Sequence, residues 1–154
     1  MRIKIISIGK KIRSWEKESI EYYLKQLPKN FSIDLINIGG LQHPKISKKE
    51  IIEKESKLLM EKISKEDYVV AWDSCGEKIN SETLASFLSE NFEINNSICF
   101  LVGGSFGLSA DIKKISNKVF SASMLTFPHR LFRVILVEQI YRAHTIINNM
   151  PYHK

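Results

Sequence analysis

Residues 97–109, SICFLVGGSFGLS, place an apolar run, a glycine turn and a helix start in succession, and this order decides the fold class. Residues 98–102 are all apolar, which is typical of a strand buried on both faces of a sheet. Gly103 and Gly104 end the strand, and glycine lets the backbone turn tightly or approach a ligand closely. Ser109 can cap a helix by accepting a hydrogen bond from a free backbone N–H group. The segment therefore predicts one strand–turn–helix unit of a parallel α/β sheet.

The same alternation of strand and helix extends over the whole chain. Apolar runs rich in β-branched residues predict strands at residues 2–8, 31–38, 67–73, 97–102 and 119–122. Start and stop signals predict helices at residues 14–27 with Ser14 as the cap, after a capping box that begins at Ser47, and at residues 81–91, 109–116 and 130–148. Residues 74–77 and 123–129 are expected to be loops. These elements predict a single α/β domain, residues 1–154, with a mostly parallel sheet and helices on both faces.

The charge of the chain is concentrated near its C-terminus. The formal net charge is +6 at pH 7. After residue 109, Lys and Arg far outnumber the two acidic residues, Asp111 and Glu138. Such a basic surface suits phosphate binding, as in RNA, and it equally suits a solvated face that aids solubility. The apolar runs are too short to span a membrane and no secretory leader is expected, so the sequence predicts a cytoplasmic protein.

Common catalytic and metal-binding motifs are absent from the sequence. Cys75 and Cys99 form no CxxC pair and are expected to be unpaired thiols. The four histidines lie at no metal-ligand spacing, so no metal is expected. The sequence contains no GxxxxGK[ST] or GxSxG motif, and no GxGxxG follows the first strand.

The last predicted helix, residues 130–148, is apolar around most of its circumference. A helix of this kind must be buried on most sides, and a second copy of the chain would cover it. Glu138 within this helix is costly to bury unless it is paired. Arg142, four residues later, is the expected partner, and Arg133 is a second candidate.

Four motifs occur in a fixed order along the chain: residues 101–108 (LVGGSFGL), 125–129 (LTFPH), 133–134 with 138–143 (RV, EQIYRA) and 151–154 (PYHK). Together with the opening ISIGK of residues 6–10 and the length of the chain, they closely resemble the bacterial ribosomal RNA large subunit methyltransferase H family. The resemblance covers the full chain, and the four motifs together are highly specific.

The resemblance implies a SPOUT-class fold with a deep trefoil knot near the C-terminus. It implies that S-adenosylmethionine is the cofactor and that N3 of a pseudouridine in the helix 69 loop of 23S rRNA is methylated on assembled ribosomes. It also implies a homodimer with the active site at the subunit interface. The knot follows only from the resemblance, because chains do not generally thread loops.

The resemblance also implies which residues form the site. The cofactor pocket is expected to be formed by Trp72, Gly103, Gly104, Ala122, Ser123, Met124, Leu125, Thr126 and Phe127. Trp72 stands where the family usually has leucine. Arg142, Tyr152 and His153 are the expected catalytic residues that bind and orient the target nucleotide, with His129 behind them. Taken alone, Leu125 and Phe127 are also compatible with core packing, and the last four residues with a frayed tail.

Three other functions remain open from the residues themselves. A SPOUT methyltransferase for another RNA, such as transfer RNA, would carry the same motifs. A non-catalytic RNA-binding or ribosome-assembly protein would use only the basic C-terminus, and a dimeric structural protein would bind no ligand.

Overall fold

A computed structural model of the chain describes residues 2–94 and 97–154. Over these residues five strands alternate with five helices. The strands are β1 (Arg2–Ile8), β2 (Ser32–Ile38), β3 (Asp67–Lys78), β4 (Ser97–Val102) and β5 (Lys118–Ser121). The helices are α1 (Ser14–Leu24), α2 (Lys48–Met60), α3 (Ser81–Ile94), α4 (Ala110–Ile115) and α5 (His129–Ile147).

The strands form one sheet with the order β2-β1-β4-β3-β5. Each pair of neighbouring strands among the described residues is parallel, which confirms the predicted sheet. Because the strands are parallel, their carboxyl ends meet at one rim, and the loops that follow them lie side by side. This arrangement brings together segments that are far apart in the sequence.

Helices cover both faces of the sheet, as predicted. In β1, Ile5 belongs to one buried cluster and Ile6 to the other, because successive strand residues point to opposite faces. The first cluster lies under α1, α3 and α5, and α5 packs against both of the other helices. The second cluster lies under α2 and α4 and includes Leu59 and Ile112. Burial on both faces explains why β1 and β4 consist mainly of large apolar residues.

The prediction that residues 74–77 form only a loop is wrong. They belong to β3, which pairs with β5 in two registers. Trp72 and Glu77 both pair with Phe120, so a bulge lies between them. Gly76 is required in the bulge, because a Cβ atom there would lie 2.6 Å from the Phe120 carbonyl carbon. Residues 74–77 do interrupt the regular strand, as the glycine suggested, but they do so as a bulge after which β3 continues.

The predicted cap of the first helix is also wrong, whereas two other caps are confirmed. Arg13, not Ser14, precedes α1, and its N–H donates to Glu16 Oε1 at 3.2 Å. Ser47 Oγ accepts from the Glu50 N–H at 3.2 Å, and Ser109 Oγ accepts from the Ile112 N–H at 3.1 Å. Apart from β3, the element boundaries differ from the predictions by only a few residues.

The expected partner of Glu138 is confirmed. Arg142 Nε donates to Glu138 Oε1 at 3.0 Å, as the spacing of four residues predicts. The alternative partner was wrong, because Arg133 Nη2 donates to Glu16 Oε2 at 2.6 Å. Across residues 2–94 and 97–154, the structure contains no helix with the length and apolar character needed to span a bilayer.

Candidate functional site at the rim of the sheet

A cleft of about 460 Å³ opens where β3, β4 and β5 end, and we call it the loop cleft. It is lined by residues 72–75, 102–108, 121–123 and 125–127, and by Lys113, His129 and Phe132. Three separate loops thus form one concavity at the carboxyl ends of the strands, which is where parallel sheets bind their ligands.

The turn after β4 is shaped by its glycines. A Cβ atom at Gly103 would lie 2.7 Å from the Gly107 carbonyl carbon, so no larger residue fits without a backbone shift. Gly107 has a φ of +81°, a conformation that favours glycine, and its N–H donates to the Gly104 carbonyl at 3.0 Å. This closed turn lines the cleft with Gly103, Gly104 and Gly107 beside Ser105, Phe106 and Leu108.

Aromatic side chains form the floor of the loop cleft. Trp72 packs edge-on against Phe100, Phe120 and Phe132, and the Phe127 ring lies parallel to that of Phe132 at 6.5 Å. The Trp72 indole Nε1 is buried and has no hydrogen-bond acceptor among the described residues. The aromatic side chains give the loop cleft an apolar floor, which suits a flat heterocycle.

The loop after β5 is held by its own serines. Ser121 Oγ donates to the Ser123 carbonyl at 3.2 Å, and Ser123 Oγ accepts from the Leu125 N–H at 2.8 Å. Leu125 lines the cleft although its relative exposure is 74%. Met124 is 84% exposed and does not line the cleft. The alternative that Leu125 is a core residue is thereby excluded.

An ion pair in the loop cleft was missed by the sequence analysis. Lys113 Nζ lies 3.5 Å from Asp73 Oδ2, and Asp73 Oδ1 accepts from the Cys75 N–H at 2.9 Å. Asp73 follows the apolar half of β3, a position at which a polar residue could have been noticed. Lys113 lies on α4, and no local pattern connects it with β3.

A second cleft of about 320 Å³ adjoins the first, and we call it the side cleft. It lies where β1 and β2 end and is lined by residues 8–10, 40–42, 104–106 and 128–130 with Glu55 and Arg133. Residues 104–106 and His129 line both clefts, so the two share a wall. The pKa of His129 is lowered by burial and by the neighbouring Arg133, which favours the neutral imidazole.

Glu55 is a buried carboxylate in the wall of the side cleft. Its relative exposure is 4%, and Oε1 accepts from the Leu41 N–H at 3.0 Å. Oε2 has no donor within the part of the chain that the structure describes. Burial raises the pKa of Glu55, and the single hydrogen bond from Leu41 only partly offsets this. The sequence carried a signal, because Glu55 interrupts the buried stripe of Ile51 and Leu59 on α2.

Arg133 is almost fully buried, at 1% relative exposure, between α5 and the end of β1. Its terminal nitrogens donate to Glu16, to Asn37 Oδ1 and to the Lys10 carbonyl. Its Nε atom has no acceptor among the described residues. Burial raises the pKa of Glu16, but the Arg13 N–H, Arg130 and Arg133 lower it overall, so this carboxylate stays ionised.

The three predicted catalytic residues cluster on the outer side of α5. Tyr152 Oη donates to Glu138 Oε1 at 3.0 Å, and the Arg142 guanidinium lies 4.7 Å from the centre of the Tyr152 ring. His153 Nε2 lies 2.9 Å from Glu82 Oε1 on α3. Burial and hydrogen bonds raise the pKa of Tyr152, so its phenol is neutral at physiological pH. The tail is therefore held in place rather than frayed.

The structure groups the predicted site residues into two sets. All predicted cofactor residues except Met124 line the loop cleft. Arg142, Tyr152 and His153 line neither the loop cleft nor the side cleft of the same chain. Within residues 2–94 and 97–154, no group of three or more His, Cys, Asp or Glu side chains is positioned to hold a metal ion. Both cysteines are free, Cys75 exposed and Cys99 buried.

Known proteins resemble this chain over its whole length. The profile of the family described as "Predicted SPOUT methyltransferase" matches residues 1–153. A protein of Coxiella burnetii named ribosomal RNA large subunit methyltransferase H is 40% identical over 155 residues, which cover 100% of both chains. Proteins of the same name from Clostridium perfringens and Legionella pneumophila are 40% and 39% identical, over 100% of this chain and 100% and 99% of their own. The chain therefore belongs to the SPOUT methyltransferases, in the family of ribosomal RNA large subunit methyltransferase H.

Proposed function

We propose that this protein methylates N3 of a pseudouridine in the helix 69 loop of 23S rRNA, with S-adenosylmethionine as methyl donor. The substrate is the assembled ribosome in the cytoplasm, and the active form is a homodimer. The observation that carries the proposal is the loop cleft, which is lined by two of the family-like segments, residues 101–108 and 125–129, together with residues 72–75 of β3. The full-length identity to ribosomal RNA methyltransferases supports the choice of RNA.

The chemistry of the loop cleft fits S-adenosylmethionine. The adenine ring requires an apolar slot and a few hydrogen bonds, and Trp72, Leu125 and Phe127 with the backbone of residues 122–127 supply these. Trp72 Nε1–H is buried beside this floor and has no acceptor among the described residues. Gly103 also lines the cleft, and a Cβ atom there would lie 2.7 Å from the Gly107 carbonyl carbon. When bound, the cofactor supplies a methyl group on a sulfonium that leaves as a neutral thioether.

The protein's part in the reaction is mainly to position the two reactants. An in-line transfer gains much of its rate from alignment, and neither a metal nor a covalent intermediate is required. The N3–H proton must pass to a base or to water. Tyr152 is not this base, because the raised pKa keeps its phenol protonated. Tyr152 instead donates hydrogen bonds and can stack on a base.

A second copy of the chain completes the site in this proposal. Arg142, Tyr152 and His153 lie outside the loop cleft of their own chain. Leu131 on α5 is 41% exposed. A two-fold dimer through α5 would cover this face and bring the tail of one protomer to the loop cleft of the other.

The direct test compares rRNA fragments by mass spectrometry from cells with and without the gene. We expect one methylated pseudouridine in the helix 69 loop to lose its methyl group when the gene is deleted. Calorimetry with S-adenosylmethionine tests the cofactor separately, since a protein that only binds RNA would give no heat. Methylation at another RNA, or none, would overturn the proposed substrate.

Variants of the tail test its role. Arg142→Ala and His153→Ala are expected to lower methylation of ribosomes about a hundredfold or more, because orientation is lost, while cofactor affinity stays unchanged. Arg2→Ala serves as the control, since Arg2 lies on β1 away from the rim and forms an exposed ion pair with Asp34. Normal turnover by both tail variants would remove these residues from the mechanism.

A further inference from the structure

The side cleft contains two buried polar atoms without partners, and they are of opposite kinds. Glu55 Oε2 is a hydrogen-bond acceptor that no described residue supplies with a donor. Arg133 Nε carries an N–H donor for which no described residue supplies an acceptor. Both residues line this cleft and both are more than nine-tenths buried. Buried polar groups are nearly always hydrogen-bonded, so an unpaired acceptor and an unpaired donor in one cleft point to a ligand that carries both complements.

The backbone between the two groups consists of glycines. A Cβ atom at Gly9 would lie 3.7 Å from Arg133 Nη1. A Cβ atom at Gly40 would lie 3.5 Å from Glu55 Oε1 and 3.7 Å from the Cα atom of Gly9. Gly9 therefore lies beside the guanidinium and Gly40 beside the carboxylate, and the two glycines are neighbours. Two neighbouring residues without side chains let a flat ring approach both groups.

The orientation of the Glu55 carboxylate is fixed by its surroundings. The Leu41 N–H binds Oε1, which leaves Oε2 as the free oxygen. A Cβ atom at Gly104 would lie 2.6 Å from Oε2, so this oxygen sits directly against the backbone that separates the two clefts. The free acceptor, Glu55 Oε2, therefore lies next to Gly104, which lines both clefts.

We propose that the side cleft binds the target pseudouridine, with Glu55 accepting a hydrogen bond from N1–H and Arg133 Nε–H donating to O2. This inference rests on the proposed function and adds the residues that recognise the base. Pseudouridine is attached to ribose through carbon, so its N1–H is free beside the O2 carbonyl. In uridine the corresponding ring position is C5–H, which is no comparable donor. Glu55 thus distinguishes pseudouridine from uridine.

This placement leaves N3 available for methylation. N3 lies on the other side of the C2 carbonyl from N1, so an edge held at N1 and O2 leaves N3 unbound. The loop cleft adjoins the side cleft at residues 104–106, and the methyl donor would lie across that wall. The lining of the side cleft also includes Lys10, which is exposed, and Arg130, and these cations suit the phosphates of the nucleotide.

The test uses the wild-type dimer and two kinds of ribosome, one with pseudouridine and one with uridine at the target position. The uridine ribosomes come from cells that lack the pseudouridine synthase for this position. We expect kcat/KM of the wild type to be at least about tenfold higher for pseudouridine, because a site built for a hydrogen bond rejects an analogue that lacks it.

Glu55→Gln should abolish this preference. The Leu41 N–H keeps the amide oxygen at the Oε1 position, so the amide NH2 would face the N1–H as a second donor. We expect kcat/KM for pseudouridine to fall about tenfold, that for uridine to change little, and the affinity for S-adenosylmethionine by calorimetry to stay the same. Glu53→Gln is the matched control, since Glu53 is an exposed residue on the same helix.

Each outcome is decisive. If the wild type methylates pseudouridine ribosomes but Glu55→Gln keeps the full preference, this inference is overturned while the proposed function stands. Equal activity of the wild type on both ribosomes overturns it as well. If the wild type methylates neither ribosome, the proposed function fails and the inference fails with it. A Glu55→Gln variant that loses the preference and keeps its cofactor affinity supports the inference.

Discussion

Two buried carboxylates lie at opposite ends of the sheet and have opposite environments. Near the amino ends of β1 and β3, Asp67 Oδ2 lies 2.7 Å from Lys4 Nζ and accepts from the Ser64 N–H at 2.8 Å. Near the carboxyl ends, Glu55 has one N–H donor, and no cation among the described residues forms an ion pair with it. Burial raises the pKa of both carboxyls, but Lys4 and Ser64 lower that of Asp67 overall, whereas the pKa of Glu55 stays raised.

The different environments of Asp67 and Glu55 indicate different roles, one in stability and one in function. A buried charge that has its counter-ion inside the protein holds two strands together and needs nothing from outside. A buried charge without a counter-ion weakens the fold, and such groups are found mainly where function requires them. At the carboxyl rim, Glu55 Oε2, Arg133 Nε and Trp72 Nε1 are buried without a partner among the described residues, and at the amino end the same holds for Asp67 Oδ1 and Ser97 Oγ. What sets Glu55 apart is that its carboxylate has no counter-ion among the described residues, whereas Asp67 has Lys4.

The largest expected effect on stability is at the amino end. Lys4→Met leaves the Asp67 charge buried without its cation, and breaking a buried pair in this way costs about 3 kcal/mol. For a chain of this size that corresponds to a fall in Tm of roughly 6–12 °C. Methylation per folded molecule should not change, because Lys4 lies far from the rim. Thermal melts followed by methylation assays at low temperature measure both quantities.

Arg2→Met is the control for the amino end. Arg2 forms an ion pair with Asp34 on neighbouring strands, but the two side chains are 58% and 46% exposed. Exposed pairs contribute about 0–1 kcal/mol, so Tm should hardly move. If Lys4→Met had the same Tm as Arg2→Met, the buried ion pair between Lys4 and Asp67 would not stabilise the fold.

The next largest effect is at the carboxyl rim. In Gly103→Ala the new Cβ atom would lie 2.7 Å from the Gly107 carbonyl carbon and 3.0 Å from Leu108 Cγ. The turn must shift, and we expect the affinity for S-adenosylmethionine to fall about tenfold or more, since overpacking costs about 1–3 kcal/mol and about 1.4 kcal/mol is tenfold in affinity. Calorimetry on the folded variant measures the loss.

Gly39→Ala provides the matched control for the glycine substitution. Nothing lies within 4 Å of a Cβ atom at Gly39, so its replacement should change neither cofactor affinity nor activity. Unchanged cofactor affinity in Gly103→Ala would mean that the turn after β4 does not form the binding wall.

Local patterns in the sequence were sufficient for the sheet but not for the clefts. The strand segments and the caps at Ser47 and Ser109 depend on neighbouring residues, and the structure confirms them. The contact between Arg133 and Glu16 depends on how α5 packs against α1, so the sequence analysis assigned Arg133 to the wrong acid. The shared wall of the two clefts depends likewise on tertiary packing.

The residues that line the loop cleft were mostly predicted through the resemblance, whereas cleft residues that only tertiary packing brings there were missed. The loop residues were found through the resemblance, whereas Glu55 and Lys113 were not, although Glu55 stands on the buried stripe of α2. The homodimer and the trefoil knot stay predictions. They concern a second chain and the path of the whole chain, about which residue spacing says nothing.

The smallest expected effect is a gain in stability from Glu55→Gln. Removing the charge of Glu55 should stabilise the protein, whereas removing that of Lys4 should destabilise it. Glu55→Gln keeps the bond from the Leu41 N–H and replaces an unpaired buried charge by a neutral amide, a gain of about 1 kcal/mol. This corresponds to a rise in Tm of roughly 2–4 °C at neutral pH. The charged or titratable groups that line the same cleft are Lys10, His129, Arg130 and Arg133. None of them forms an ion pair with Glu55 among the described residues, so their effect on it is weaker than that of burial.

The pH dependence of this gain follows from the raised pKa of Glu55. The unfolded chain ionises Glu55 near the ordinary value of 4.5, whereas the folded chain holds the proton to higher pH. The wild type therefore loses stability as the pH rises from that value through the raised pKa, and the glutamine variant, which does not titrate, escapes this loss. Melts of both proteins across this range should show a difference that is largest at neutral pH and absent below the ordinary pKa. A variant less stable than the wild type at neutral pH would mean that Oε2 has a stabilising partner within the protein, and the contrast between the two carboxylates would then fail.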